Sequence, residues 1–98
     1  MDIGMNKSGN ELTISLEGRL DTLTSPELEK KLDSALDGIK KLTFDLKGLK
    51  YISSAGLRVL AAAMDIMEDR GEMFVANAND DVRDVFEITG FIEDLNMI

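Results

Sequence analysis

Apolar and polar residues alternate most cleanly over Glu11-Leu12-Thr13-Ile14-Ser15-Leu16-Glu17, which sets Leu12, Ile14 and Leu16 on one face of a half-buried strand. Before it Ile3 and Met5 alternate more weakly, and Ser8-Gly9-Asn10 reads as the turn joining two strands. Residues 18–24 have no clear period and read as a loop or short edge. Ser25-Pro26-Glu27 has the form of a helix start: a capping serine, proline at the first helical position and an acid in the first turn. Leu28, Leu32, Ala35 and Leu36 then line one helical face, and Asp37-Gly38 ends it.

Period two returns at Leu42, Phe44 and Leu46, after which Lys47-Gly48-Leu49-Lys50 reads as a turn. Helical spacing resumes with Leu57, Leu60, Ala61 and Met64 and predicts a helix from about Ser54 to about Asp69, stopped at Arg70-Gly71. Met64 is expected in the core, and Met67 at the rim of the apolar stripe. Met73-Phe74-Val75-Ala76 is a third well-formed strand. Asn79-Asp80-Asp81 caps a last helix carrying Val82, Val85 and Phe86. Gly90 fits its left-handed C-terminal position, and Phe91 can fold back onto the final turn.

The element order β-β-α-β-α-β-α predicts an α/β fold, a mixed sheet with helices packed on it. Strand–helix–strand units demand parallel, right-handed crossovers. A chain of 98 residues suits one core and is too short for two, so residues 1–98 are expected to form a single domain. No apolar run reaches the ~18–20 residues needed to cross a bilayer. MDIGMNKSGN lacks the basic and apolar regions of a signal peptide, and the chain has no cysteine, so a cytoplasmic location is expected.

Composition removes much chemistry. With neither histidine nor cysteine, most zinc sites, the usual general base and the Ser-His-Asp triad are gone, and no catalytic residue, metal or cofactor is expected. Nineteen acids against eleven bases give a net charge of −8, which repels nucleic acid and anionic membrane and fits either a protein partner or simply a soluble domain. A nucleophile elbow centred on Ser54 would need glycine at position 52, which is Ile52. Gly48 and Gly56 have the wrong separation for a phosphate loop, which argues against a small nucleotide-binding module. Asn77-Ala78-Asn79-Asp80-Asp81 begins like a calcium loop, but Val82 and Ile88 stand where glycine and a bidentate glutamate are required.

One stretch remains: Tyr51-Ile52-Ser53-Ser54-Ala55-Gly56-Leu57-Arg58, two hydroxyls at a strand-to-helix junction. Ser54 is read as the helix cap, a role worth ~1 kcal/mol over alanine. A capping serine is also a ready phosphoacceptor, because unpaired N–H groups and the helix dipole favour an added anion there. Gly56, with no Cβ, is expected to leave the first turn open to an approaching partner.

Three segments together resemble the STAS domain, the family of bacterial anti-sigma factor antagonists and of sulfate-transporter cytoplasmic domains. They are Leu16-Glu17-Gly18-Arg19-Leu20-Asp21-Thr22, then Phe44-Asp45-Leu46 with Tyr51-Ile52-Ser53-Ser54-Ala55-Gly56-Leu57, and Phe74-Val75-Ala76 with Val82 to Phe91. The resemblance implies a STAS-like mixed sheet. It aligns Ser54 with a serine phosphorylated by a partner kinase, and sets Asp21 on the same surface. The partner-binding set it implies is Asp21, Thr22, Ser53, Ala55, Gly56, Leu57 and Arg58. Ser53 stands where the family commonly has aspartate, and Ala55 where it often has a second hydroxyl. The implied function is partner switching by a monomeric non-enzyme. The unphosphorylated chain binds an anti-sigma factor with serine kinase activity, phosphorylation releases it, and a serine phosphatase resets it. The alternative is an unphosphorylated scaffold or regulatory subunit, for example of a membrane transport complex.

Overall fold

The computed structural model describes all 98 residues. Five strands, β1 (Asp2–Ser8), β2 (Glu11–Leu20), β3 (Lys41–Ile52), β4 (Glu72–Ala76) and β5 (Asn96–Met97), lie in that spatial order in one sheet. β1 runs antiparallel to β2 through the tight turn at Gly9 (φ 62°), and the remaining neighbours are parallel. Helices α1 (Ser25–Ala35), α2 (Ser54–Glu68) and α3 (Asp80–Ile88) connect the parallel strands, so the sheet is mixed as predicted. The short β5 and the 3-10 turn Phe91–Glu93 before it are additions. Two paired residues are too few for alternation to register.

One face of the sheet is buried. Leu12, Ile14, Leu16 and Leu20 from β2 join Leu42, Phe44, Leu46, Leu49 and Ile52 from β3, and Met73 and Val75 from β4. Leu28 and Leu32 of α1, with Leu36 just beyond it, Leu60 and Ala63 of α2, and Val82 and Phe86 of α3 close over them in a single cluster. The opposite face, with Thr13, Ser15, Thr43 and Asp45, is only half-buried. Phe91 does fold back on α3: its ring lies 6.0 Å from that of Phe86, past Gly90 at φ 75°.

Four expectations are corrected. Gly18-Arg19-Leu20, read as the start of a loop or short edge, is the end of β2 and pairs with β3. Lys47-Gly48-Leu49-Lys50 is no turn but part of β3, which carries one extra residue against β2 between Asp45 and Gly48 and another between Leu49 and Tyr51. Each bulge lets the apolar repeat step by three, Leu46 to Leu49 to Ile52, and still face the core. Met67 is fully buried and Met64 only half-buried, the reverse of the order expected. Ser25 does not cap α1: it is buried, and its hydroxyl donates to the Asp21 carbonyl, while Thr24 holds the cap position without a side-chain cap bond.

Candidate partner-binding site at the start of helix α2

The parallel strands β2 and β3 end together, Leu20 opposite Ile52, and the Leu20 carbonyl accepts from the Ser53 N–H at 2.9 Å. That bond joins the loop after β2 to the start of α2, at the carboxyl ends of the strands where open α/β sheets present their sites. Ser53 has extended backbone (φ −99°, ψ 176°), and its Oγ accepts from the Gly56 N–H at 3.4 Å, so Ser53 is the helix cap. The cap was expected at Ser54. It lies one residue earlier because the last strand bond fixes Ser53 in the extended conformation that a cap requires.

Ser54 is therefore the first helical residue, exposed, with its hydroxyl outside the cap. Ser53 and Ala55 beside it are half-buried, and Arg58, one turn along, is exposed. Gly56 corrects the expectation of an open approach. It is buried, and a Cβ there would stand 2.8 Å from Ile52 Cγ1, 2.8 Å from Leu20 Cγ and 2.9 Å from the Leu20 carbonyl oxygen. Its missing side chain lets α2 press on the strand ends and leaves nothing for a partner to touch. Leu57 likewise turns partly into the core.

Thr22 faces the groove beside Ala55 and Arg58, and Asp21 precedes it in the loop. The Asp21 Oδ1 accepts from the Leu23 N–H at 3.0 Å and the Thr24 N–H at 3.1 Å, and Thr24 Oγ1 bridges back to the Arg19 carbonyl at 2.8 Å. The Thr24 N–H bond chiefly holds the Asp21 carboxyl below its ordinary value, against a smaller desolvation effect, with Leu23 and Arg19 adding to the lowering. Thr22, Ala55 and Arg58 line a shallow groove of about 310 Å³ between the first turns of α1 and α2, with Pro26 and Glu29 on its other wall. Sequence reading missed Pro26 and Glu29, which lie on another element. Arg19, stacked 4.4 Å over the Tyr51 ring beside Asp21, also went unseen, since strand register decides that pair. The Asp-x-x-Thr spacing from Asp21 to Thr24 was the available signal for a locked turn.

A larger hollow of about 490 Å³ lies at the opposite ends of the strands among Met64, Glu68, Met73 and Asp94. It holds no hydroxyl, so its size does not make it the site.

The STAS domain model matches residues 2–98. This chain belongs to the STAS domain family. BtrV of Bordetella bronchiseptica, a proposed anti-sigma factor antagonist, is 37% identical over 94 residues, covering 94% of this chain and 81% of BtrV. An anti-sigma factor antagonist from Mycobacterium paratuberculosis shares the fold at a TM-score of 0.89 and 22% identity, covering 98% of this chain and 83% of that one. The antagonist SpoIIAA in its unphosphorylated form superposes at 0.86 with 19% identity, covering 99% and 88%. Its phosphorylated form, from Bacillus, does so at 0.78 with 18% identity, covering 99% and 91%. As a STAS domain of the antagonist type, this chain is a regulatory protein and not an enzyme. No helix is long and apolar enough to cross a membrane.

Proposed function

We propose that this protein is an anti-sigma factor antagonist that works by partner switching, with Ser54 as its phosphoacceptor. Unphosphorylated, it binds an anti-sigma factor that is also a serine kinase and so frees a sigma factor. Phosphorylated on Ser54, it lets go, and a serine phosphatase resets it. The chain acts as a cytoplasmic monomer, and the kinase brings the catalytic groups.

The carrying observation is the division of labour between Ser53 and Ser54: one hydroxyl caps α2, and the next stands exposed at the first helical position. A phosphate on Ser54 meets unpaired N–H groups and the positive end of the helix dipole, so the domain tolerates −1.5 to −2 added charges and only its surface changes. The antagonist name of BtrV and the phosphorylated and unphosphorylated forms named for SpoIIAA support the same reading.

Incubation with each serine-kinase anti-sigma factor of the source genome, ATP and magnesium tests it. One phosphate, placed on Ser54 by fragmentation mass spectrometry, is the expected result. Phosphate on Ser53 would overturn the site, and none from any of these kinases would overturn switching and leave the scaffold reading.

A further inference from the structure

Eleven of the thirteen leucines are buried and Leu57 is half-buried, whereas Leu23 is 89% exposed. A single bare leucine is ordinary on a protein surface. This one stands on a hydrogen-bonded turn. Its own N–H donates to Asp21 Oδ1 at 3.0 Å, and the next N–H, from Thr24, donates to the same oxygen at 3.1 Å. The Asp21 N–H donates to Thr24 Oγ1 at 2.9 Å, and the Ser25 N–H donates to the Asp21 carbonyl at 2.8 Å. Four residues thus spend their polar groups on one another, and the result holds an apolar side chain out in water.

The position of that side chain gives the arrangement its meaning. Thr22, its neighbour, lines the groove that Ala55 and Arg58 share, and Leu20, at the root of the loop, holds Ser53. The groove thus has a chain neighbour of each on its walls, Thr22 next to Leu23 and Ala55 next to Ser54. Ile88, bare to a similar degree at 85%, ends α3, which runs back toward the amino ends of the strands and away from Ser54.

We infer that Leu23 is the apolar anchor by which this chain seats on its anti-sigma factor, entering a pocket walled by apolar side chains and rimmed by cations. The cationic rim follows from the net charge of −8, since the one acid next to the leucine, Asp21, already lies 3.8 Å from Arg19. Because the turn is already locked, little conformational entropy is lost when the leucine is buried. The inference rests on the antagonist reading above and adds to it the residue that selects the partner.

The test titrates purified wild type, Leu23→Ser and Leu23→Met by calorimetry against each purified serine-kinase anti-sigma factor of the source genome. Burying a leucine predicts that Leu23→Ser binds about 10- to 100-fold more weakly. Leu23→Met, which keeps volume and apolarity, should stay close to wild type. All three should melt alike, since the side chain is bare in the free protein. Wild-type affinity for Leu23→Ser would overturn the anchor and leave the antagonist reading standing. Wild type binding none of the anti-sigma factors would overturn both.

Discussion

At the scale of single residues, two neighbouring serines do different work, and substitution should separate them. Ser53→Ala removes the cap of α2 and should cost ~0.5–2 kcal/mol, toward the low end because the bond is long at 3.4 Å. Ser54→Ala removes an exposed hydroxyl outside the cap and should stay within about 0.5 kcal/mol of wild type. Urea unfolding of both variants decides it. A larger loss from Ser54→Ala would return the cap to that residue. Gly56→Ala sets its two helix effects against each other. Alanine gains up to ~1 kcal/mol of helix propensity, but its Cβ meets Leu20 and Ile52 at 2.8 Å, closer than real contacts allow. Overpacking of ~1–3 kcal/mol should win, and a stabilised variant would mean that α2 sits less tightly on the strand ends.

At the scale of elements, the loop after β2 is set by Asp21, and its behaviour should follow that carboxylate. The bound N–H groups lower the Asp21 pKa from 3.8. The folded carboxylate is thus harder to protonate than the unfolded one. The loop's stabilisation is accordingly present above the ordinary carboxyl value and lost as pH falls through the lower folded one. The Leu23 and Thr24 amide resonances should titrate together with a midpoint below 3.8. Asp21→Asn should abolish that titration and keep the turn, since its oxygen still accepts both bonds. A midpoint at or above 3.8 would contradict the bonding described.

The same elements show what the sequence could and could not display. β4 and the helical stripes were legible at nearly their full length, whereas β2 was legible only as far as Glu17, because Gly18 breaks the apolar repeat before Leu20 resumes it. β3 was cut short because its two bulges replace steps of two by steps of three, and Leu49 and Ile52 then fall out of period although they face the core. The cap of α2 was displaced by one residue because either serine satisfies the cap preference. Only the bond from Ser53 to the Leu20 carbonyl, a contact across strands, separates them. Asp21, Thr22 and Arg58 could be named from the sequence, whereas the groove wall at Pro26 and Glu29 depends on how α1 lies against α2.

At the scale of the whole molecule, helices bury one face of the sheet in a single core, and Ser54, the proposed switch, lies outside that core at the strand ends. A charge added there should change what the surface binds while the fold persists. The direct measurement is a calorimetric titration of the unphosphorylated and the Ser54-phosphorylated chain against the serine-kinase anti-sigma factor. Thermal melting of both forms checks that each is folded. Matching melts are expected, with an affinity weakened by ~1–3 kcal/mol, roughly 5- to 150-fold, on phosphorylation. Equal affinity of the two folded forms would contradict it.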